Sequence, residues 1–186
     1  MPDDAPEDPP RAVTLSSQRG FEGAWVHVRA DAVRLPSGRI TTREVVEHPG
    51  SVAIVAVTTD GHVLLLKQSH HAIARTLLGI PAGTLEPGEA PAACARRELE
   101  EETGYRAGRL AQLASYYTSP GYTDERMTIF RADDCEPMGG KIDPDELIRL
   151  TSMPLADISR LLVPGPRQLQ DAKTLIGLLL ILHQPV

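Results

Sequence analysis

Several classes of protein are excluded by what this chain lacks. Its 186 residues include two cysteines, Cys94 and Cys135, too few for a disulfide framework or a paired-thiol zinc site. No apolar run approaches the roughly 20 residues of a membrane-crossing helix; the stretch near the C-terminus, Leu175 to Leu182, covers eight. The chain opens Met1-Pro2-Asp3-Asp4, acidic where a secretory leader would be basic and then apolar, so it reads as cytoplasmic. A basic surplus is lacking too. Nineteen Lys and Arg stand against 25 Asp and Glu, a net charge of -6, which argues against a protein that coats nucleic-acid phosphates.

What is present is the composition of a soluble globular protein, 41% hydrophobic and 24% charged, in a length that suits one domain. The first ten residues hold four prolines and four acids and cannot bury enough apolar surface to offset the entropy of ordering, so residues 1–18 read as a flexible tail and 19–186 as a single domain. Alternation from Phe21 to Val33, the turn Pro36-Ser37-Gly38 and the β-branched run Ile40 to Glu47 predict a hairpin over 21–47. Ser51 to Thr58 and His62 to Lys67, joined at Asp60-Gly61, predict a second, more buried hairpin of the same sheet. Glu89 to Thr103 predicts a helix, with Pro91 in its first turn, Gly104 as its cap and Ala92, Ala95 and Leu99 as a narrow stripe against a sheet. Strands are expected over Arg109 to Thr118, Met127 to Ala132 and Leu147 to Ser152, and helices over Leu155 to Leu162 and Gln168 to Leu182. The order predicts a mixed sheet with helices packed on it.

Chemistry concentrates in the predicted helix. Glu98, Glu101 and Glu102 fall at i, i+3 and i+4, so three carboxylates share one face while Glu100 points away. They crowd the last turn, where the helix dipole disfavours negative charge. A Glu run on a helix is by itself a solvated face; a cation is the other way to relieve it, and oxygen ligands without His or Cys select Mg2+ or Mn2+ over zinc. Residues 83–104 hold six acids and two bases, and the first ten residues four acids and no base, which leaves the remainder of the chain at +2. That balance suits a protein that admits an anionic substrate beside a metal site.

Spacing decides between these readings. Gly83 stands six positions before Glu89 and Glu89 eight before Arg97, and Arg97-Glu98-Leu99-Glu100-Glu101-Glu102-Thr103-Gly104-Tyr105 follows without a gap. The segment 83–105 matches every fixed position of the Nudix box, so the chain is identified as resembling the Nudix hydrolases. The resemblance implies an α+β fold, an α/β/α sandwich around a mixed sheet, and Mg2+- or Mn2+-dependent hydrolysis of a nucleoside diphosphate linked to another moiety. It implies Glu98, Glu101 and Glu102 as metal-binding and catalytic residues, Glu98 and Glu102 as preferred direct ligands, the carbonyl of Ala82 beside them, and Gly83, Glu89 and Arg97 in support.

Pro120, sixteen positions after Gly104 within Thr118-Ser119-Pro120-Gly121-Tyr122-Thr123-Asp124-Glu125, resembles the segment that marks the ADP-ribose pyrophosphatases, as do Arg43 to Gly50, Pro81-Ala82-Gly83 and Asp171 to Thr174. That subfamily commonly carries Gln-Tyr-Arg and Trp-Glu where this chain has Gln68-Ser69-His70 and Leu78-Gly79. Replacing Arg by His removes a permanent charge and a bidentate fork, for which His71 and Arg75 could compensate. Candidate substrate contacts are therefore Arg43, His70, Arg75 and Pro120; Arg43 could equally pair with an acid on a neighbouring strand, and His70 and His71 could be surface loop residues. The resemblance places a general base in the acidic segment Asp143-Pro144-Asp145-Glu146. Glu146 is preferred over Asp143 and Asp145, and a metal-water contact or a solvated turn is the alternative. Cys94 reads as packing. The expected activity is cleavage of ADP-ribose or a related nucleotide sugar to a nucleoside monophosphate and a sugar phosphate, by a homodimer acting on a small molecule with no nucleic-acid or membrane partner. The alternatives are another Nudix substrate, such as a dinucleotide or damaged nucleoside triphosphate, or a Nudix-fold regulator without catalysis.

Overall fold

The computed structural model describes residues 8–24, 26–139, 147–163 and 169–183. Contacts divide the chain into two compact units, residues 1–48 with 118–125 and residues 49–117 with 126–186, where the sequence reading expects a single domain.

The first unit is a three-stranded antiparallel sheet of β1 (Val13–Glu22), β2 (His27–Arg34) and β3 (Ile40–Glu47) in that order. The expected hairpin is β2–β3, turning at Gly38 with φ 85°, a left-handed conformation that glycine adopts without a Cβ penalty. Three expectations are corrected. Ordered strand begins at Val13, inside the expected 1–18 tail, because the backbone of β1 has all of β2 to pair with. The expected continuous strand Phe21–Val33 is broken after Glu22, where the Gly23 amide donates to the Val26 carbonyl at 2.9 Å, and β1 to β3 form their own sheet rather than opening the larger one. A return loop, residues 118–125, is fixed to β3 by the Val46 amide donating to the Tyr122 carbonyl at 2.8 Å.

The second unit holds an eight-stranded sheet, β11-β5-β4-β10-β8 along its main path. Its members are β4 (Ser51–Thr58), β5 (His62–His70), β6 (Arg75–Gly79), β7 (Ala82–Thr84), β8 (Tyr105–Arg106), β9 (Arg109–Tyr117), β10 (Arg126–Pro137) and β11 (Ile148–Pro154). The pair β4–β10 is parallel and the remaining pairs are antiparallel, so the sheet is mixed as expected. β4 is buried along its whole length, and strand alternation divides it between two cores. Val52, Ile54 and Ala56 pack with Cys94, Ala95 and Leu99 of α1 (Pro91–Thr103), while Ala53, Val55 and Val57 pack with Leu178 and Ile181 of α2 (Ala172–His183). This is the expected α/β/α layering.

Helix α1 ends at Gly104, φ 71° with its amide on the Glu100 carbonyl, as the sequence predicts. Its buried stripe is Cys94, Ala95 and Leu99; Ala92 is exposed, because the face against the sheet lies one residue round from the predicted one. Leu155–Leu161 is a 3-10 segment rather than an α-helix. Gly177 lets α2 close on the sheet: a Cβ there would stand 2.9 Å from Val55 Cγ2 and 3.0 Å from Ile80 Cδ1.

Candidate active site

The carboxylate face of α1 forms as its spacing requires, and burial grades it. Glu98 is 9% and Glu102 3% exposed, whereas the side chain of Glu101 keeps 54%. Two acids buried on one helical face, with Arg97 set among them, make up the centre of the site.

Gly83, in β7, faces Glu98. A Cβ at this position would stand 1.9 Å from the Glu98 Cδ and 2.0 Å from its Oε1, so only a residue without a side chain leaves room for that carboxyl group. The neighbouring Ala82 amide donates to Glu102 Oε2 at 2.8 Å. β7 thus meets both buried glutamates with backbone alone, and Gly83 lacks a side chain for that reason.

Arg97 ties the loop to the helix. Its Nε and Nη2 donate to the two carboxylate oxygens of Glu89 at 3.0 and 2.9 Å, a bidentate fork that fixes orientation as well as distance. Its Nη1 reaches Glu98 at 2.7 Å and Glu101 at 3.0 Å, and Nη2 also donates to the Thr84 carbonyl at 3.2 Å. These bonds from Arg97, together with the Glu86 amide, hold the Glu89 carboxyl at about 2, well below its ordinary value, and the Glu89, Glu98 and Glu101 carboxylates raise the Arg97 guanidinium above its ordinary value. Of the residues expected in support, Glu89 and Arg97 are hydrogen-bonded to each other and Gly83 faces Glu98. Cys94 sits against this network, with Arg97 Nη2 at 3.4 Å from its sulfur; burial pushes its thiol up to about 12, which suits packing and opposes a nucleophilic role.

Among the described residues no three Asp, Glu, His or Cys side chains are gathered into a ready cation cage; Arg97 occupies the space between Glu98 and Glu101 instead. The donor set nevertheless fits a hard divalent cation: Glu98, Glu101 and Glu102 offer only oxygen, and Gly83 leaves a cradle filled by the Glu98 carboxyl group.

The other predicted residues are not part of α1 or β7. His70 ends β5 and is register partner to Arg75 at the start of β6, so these two stand together at one hairpin end; His71 opens the 3-10 turn His71–Ile73 between them. Arg43 and Pro120 belong to the first unit and are both exposed. Arg43 Nη1 donates to the Thr42 carbonyl at 3.4 Å, while Asp31, its register partner on β2, pairs with Arg29 at 3.1 Å. Pro120 lies in a turn closed by the Tyr122 and Thr123 amides on the Ser119 carbonyl, each at 3.1 Å. Asp143, Asp145 and Glu146 lie outside the described residues.

The segment Asp171 to Thr174, noted in the sequence only for its resemblance, makes a contact that had not been assigned to it. Thr174 Oγ1, on α2, accepts the Ile80 amide at 2.9 Å, just ahead of β7. The available signal was Asp171-x-x-Thr174, the spacing of a helix N-cap, and the Thr174 amide does donate to Asp171 Oδ2 at 3.3 Å.

Comparison with known proteins agrees with this geometry. The NUDIX domain matches residues 47–174 and the nucleoside diphosphate sugar hydrolase N-terminal domain residues 13–46, which meet at the end of β3. The chain belongs to the Nudix family and is a pyrophosphohydrolase of that family, a family that generally uses divalent metal ions. It is 40% identical to an ADP-ribose pyrophosphatase of Bacillus subtilis over 87% of both chains. It is 34% identical to a methanol dehydrogenase activator of Bacillus methanolicus over 88% of this chain and 89% of that one. A crystal structure of an ADP compounds hydrolase superposes with a TM-score of 0.81 at 25% identity, covering 95% of both chains.

Proposed function

We propose that this protein hydrolyses ADP-ribose or a related nucleotide sugar to a nucleoside monophosphate and a sugar phosphate, with Mg2+ or Mn2+ as the metal, as a cytoplasmic homodimer. The observation that carries the reading is the pair of buried carboxylates, Glu98 and Glu102, set by Gly83 and the Ala82 amide at the mouth of the box. The ADP-ribose pyrophosphatase of Bacillus subtilis supports the substrate class.

When bound, the divalent ion supplies charge neutralisation on the pyrophosphate oxygens and a more acidic water. Glu98 and Glu102 would hold it, with the Ala82 carbonyl and the exposed Glu101 as further donors. Arg97, anchored on Glu89, fixes the direction of the Glu98 carboxylate and screens the mutual repulsion of the glutamates. His70 and Arg75, paired across the β5–β6 hairpin, offer hydrogen-bond donors to phosphate oxygens, and Arg43 and Pro120 serve the nucleotide. Glu146, ahead of Asp143 and Asp145, takes the proton of the attacking water.

The test is hydrolysis of a panel of ADP-ribose, nucleotide sugars, NADH and nucleoside triphosphates with Mg2+. Glu102→Gln keeps an acceptor for the Ala82 amide while removing the charge, so AMP release from ADP-ribose is expected to vanish in a folded protein. An unchanged rate overturns the assignment, and turnover of triphosphates alone overturns the substrate class. A second reading, a regulatory Nudix protein, is favoured by the similarity to the Bacillus methanolicus activator. No turnover of any member of the panel would support it.

A further inference from the structure

We propose that Thr174, oriented by Asp171, is a positioning residue for the carboxylate of Glu102, acting through the backbone from Ile80 to Ala82. The proposal rests on the reading of Glu102 as a metal-binding group and adds to it a second structural layer on the far side of β7.

The three residues ahead of the box are each tied to a different element. The Ile80 amide donates to Thr174 Oγ1 of α2 at 2.9 Å. The Pro81 carbonyl accepts from the Ile54 amide of β4 at 2.8 Å. The Ala82 amide donates to Glu102 Oε2 of α1 at 2.8 Å. Ile80 lies between the end of β6 at Gly79 and the start of β7 at Ala82, where the strand ladders do not supply its amide with a partner. Pro81 has no amide to offer. The hydroxyl of Thr174 is thus what ties this stretch to α2.

That hydroxyl is set in direction. A hydroxyl carries one proton and two acceptor lone pairs; the proton goes to Asp171 Oδ2, which leaves a lone pair for the Ile80 amide. Asp171 is itself held, through Oδ1 to Lys173 Nζ at 2.8 Å and through Oδ2 to the Thr174 amide at 3.3 Å. Thr174 is fully buried, so water cannot replace it at the Ile80 amide without opening the core. Gly79 permits the approach, since a Cβ there would stand 3.3 Å from Thr174 Oγ1 and 3.4 Å from Asp171 Oδ2. A buried amide stripped of its acceptor drives local rearrangement, and two residues on, the Ala82 amide is the group that holds Glu102.

The experiment compares Thr174→Val, which keeps shape and burial but loses the acceptor, with Thr174→Ser, which keeps it, and with Asp171→Asn. Binding of Mn2+ alone is measured by calorimetry, and amide exchange at Ile80 and Ala82 by NMR. Thr174→Val is expected to weaken Mn2+ binding by up to about 10-fold, the lower end of what losing a ligand's own hydrogen-bond partner costs because Thr174 acts one step further out, and to speed exchange at both amides. Thr174→Ser is expected to restore both, and Asp171→Asn to move both in the direction of Thr174→Val. Wild-type Mn2+ affinity with unchanged Ala82 exchange in Thr174→Val, even at a lowered Tm, overturns the proposal, because that is what a purely structural threonine would give. Should Thr174→Val not fold, Asp171→Asn decides in the same way. If the wild type binds no Mn2+, the metal reading fails on its own account, and Ala82 exchange in the variants still decides whether Thr174 positions the strand.

Discussion

Substituting Gly83 by alanine isolates the role of the cradle in β7. Gly83 is not among the glycines with positive φ, so alanine meets no backbone penalty and the effect is one of space. The new Cβ would stand 1.9 Å from the Glu98 Cδ. Carbon contacts relax at about 3.5 Å, so the carboxyl group must retreat by roughly 1.6 Å and leave its 2.7 Å bond from Arg97. A displacement of about 1 Å in a positioned group costs on the order of 100-fold in rate, which corresponds to about 2.7 kcal/mol in the barrier. Steady-state hydrolysis of ADP-ribose with saturating Mg2+ should show kcat reduced by about that factor, with KM changed far less, while overpacking lowers stability by about 1–3 kcal/mol. A G83A protein with wild-type kcat would refute the reasoning, since Glu98 would then not need the place it occupies.

The Glu89 carboxyl is depressed from 4.5 to about 2 by Arg97 first and the Glu86 amide second. A depressed carboxylate stabilises the fold fully above its unfolded value, and the contribution fades as pH falls through the folded one; the Tm difference between wild type and E89Q should therefore be constant above about 4.5 and shrink between there and about 2. A difference that grows towards acid in thermal melts would show the pairing to be wrong. Cys94 and Cys135 are fully buried, and burial pushes their thiols up to about 12 and about 11. A thiol reagent at neutral pH should label neither until the protein is unfolded, and rapid stoichiometric labelling of the native chain would contradict this placement.

Much of the site was legible in sequence because it lies on one helix and the loop before it. A helix converts residue spacing into direction, so Glu98 and Glu102 had to share a face once Glu89 to Thr103 was read as helical, and Gly104 had to stop it. Ala92 shows the limit of the same logic. Periodicity gives the width of a buried stripe, but the sheet beneath chooses which edge is covered, and it covered Cys94 in place of Ala92. The strand at Val13 was hidden for a related reason. β1 is exposed along its length, so it has no alternation of burial to display, and its order comes from pairing with β2.

The amino-acid sequence by itself determined the candidate chemistry: the carboxylates, their spacing, the arginine among them and the glycine opposite, all within 23 contiguous residues. Tertiary structure decided how tightly these are held. Arg97 could have lain in solvent, yet it bridges Glu89, Glu98 and Glu101. Nor does the sequence state that a threonine 94 positions away satisfies the Ile80 amide. Such a bond depends on two elements far apart in the chain packing together, and it forms because a buried amide must find an acceptor wherever the fold brings one.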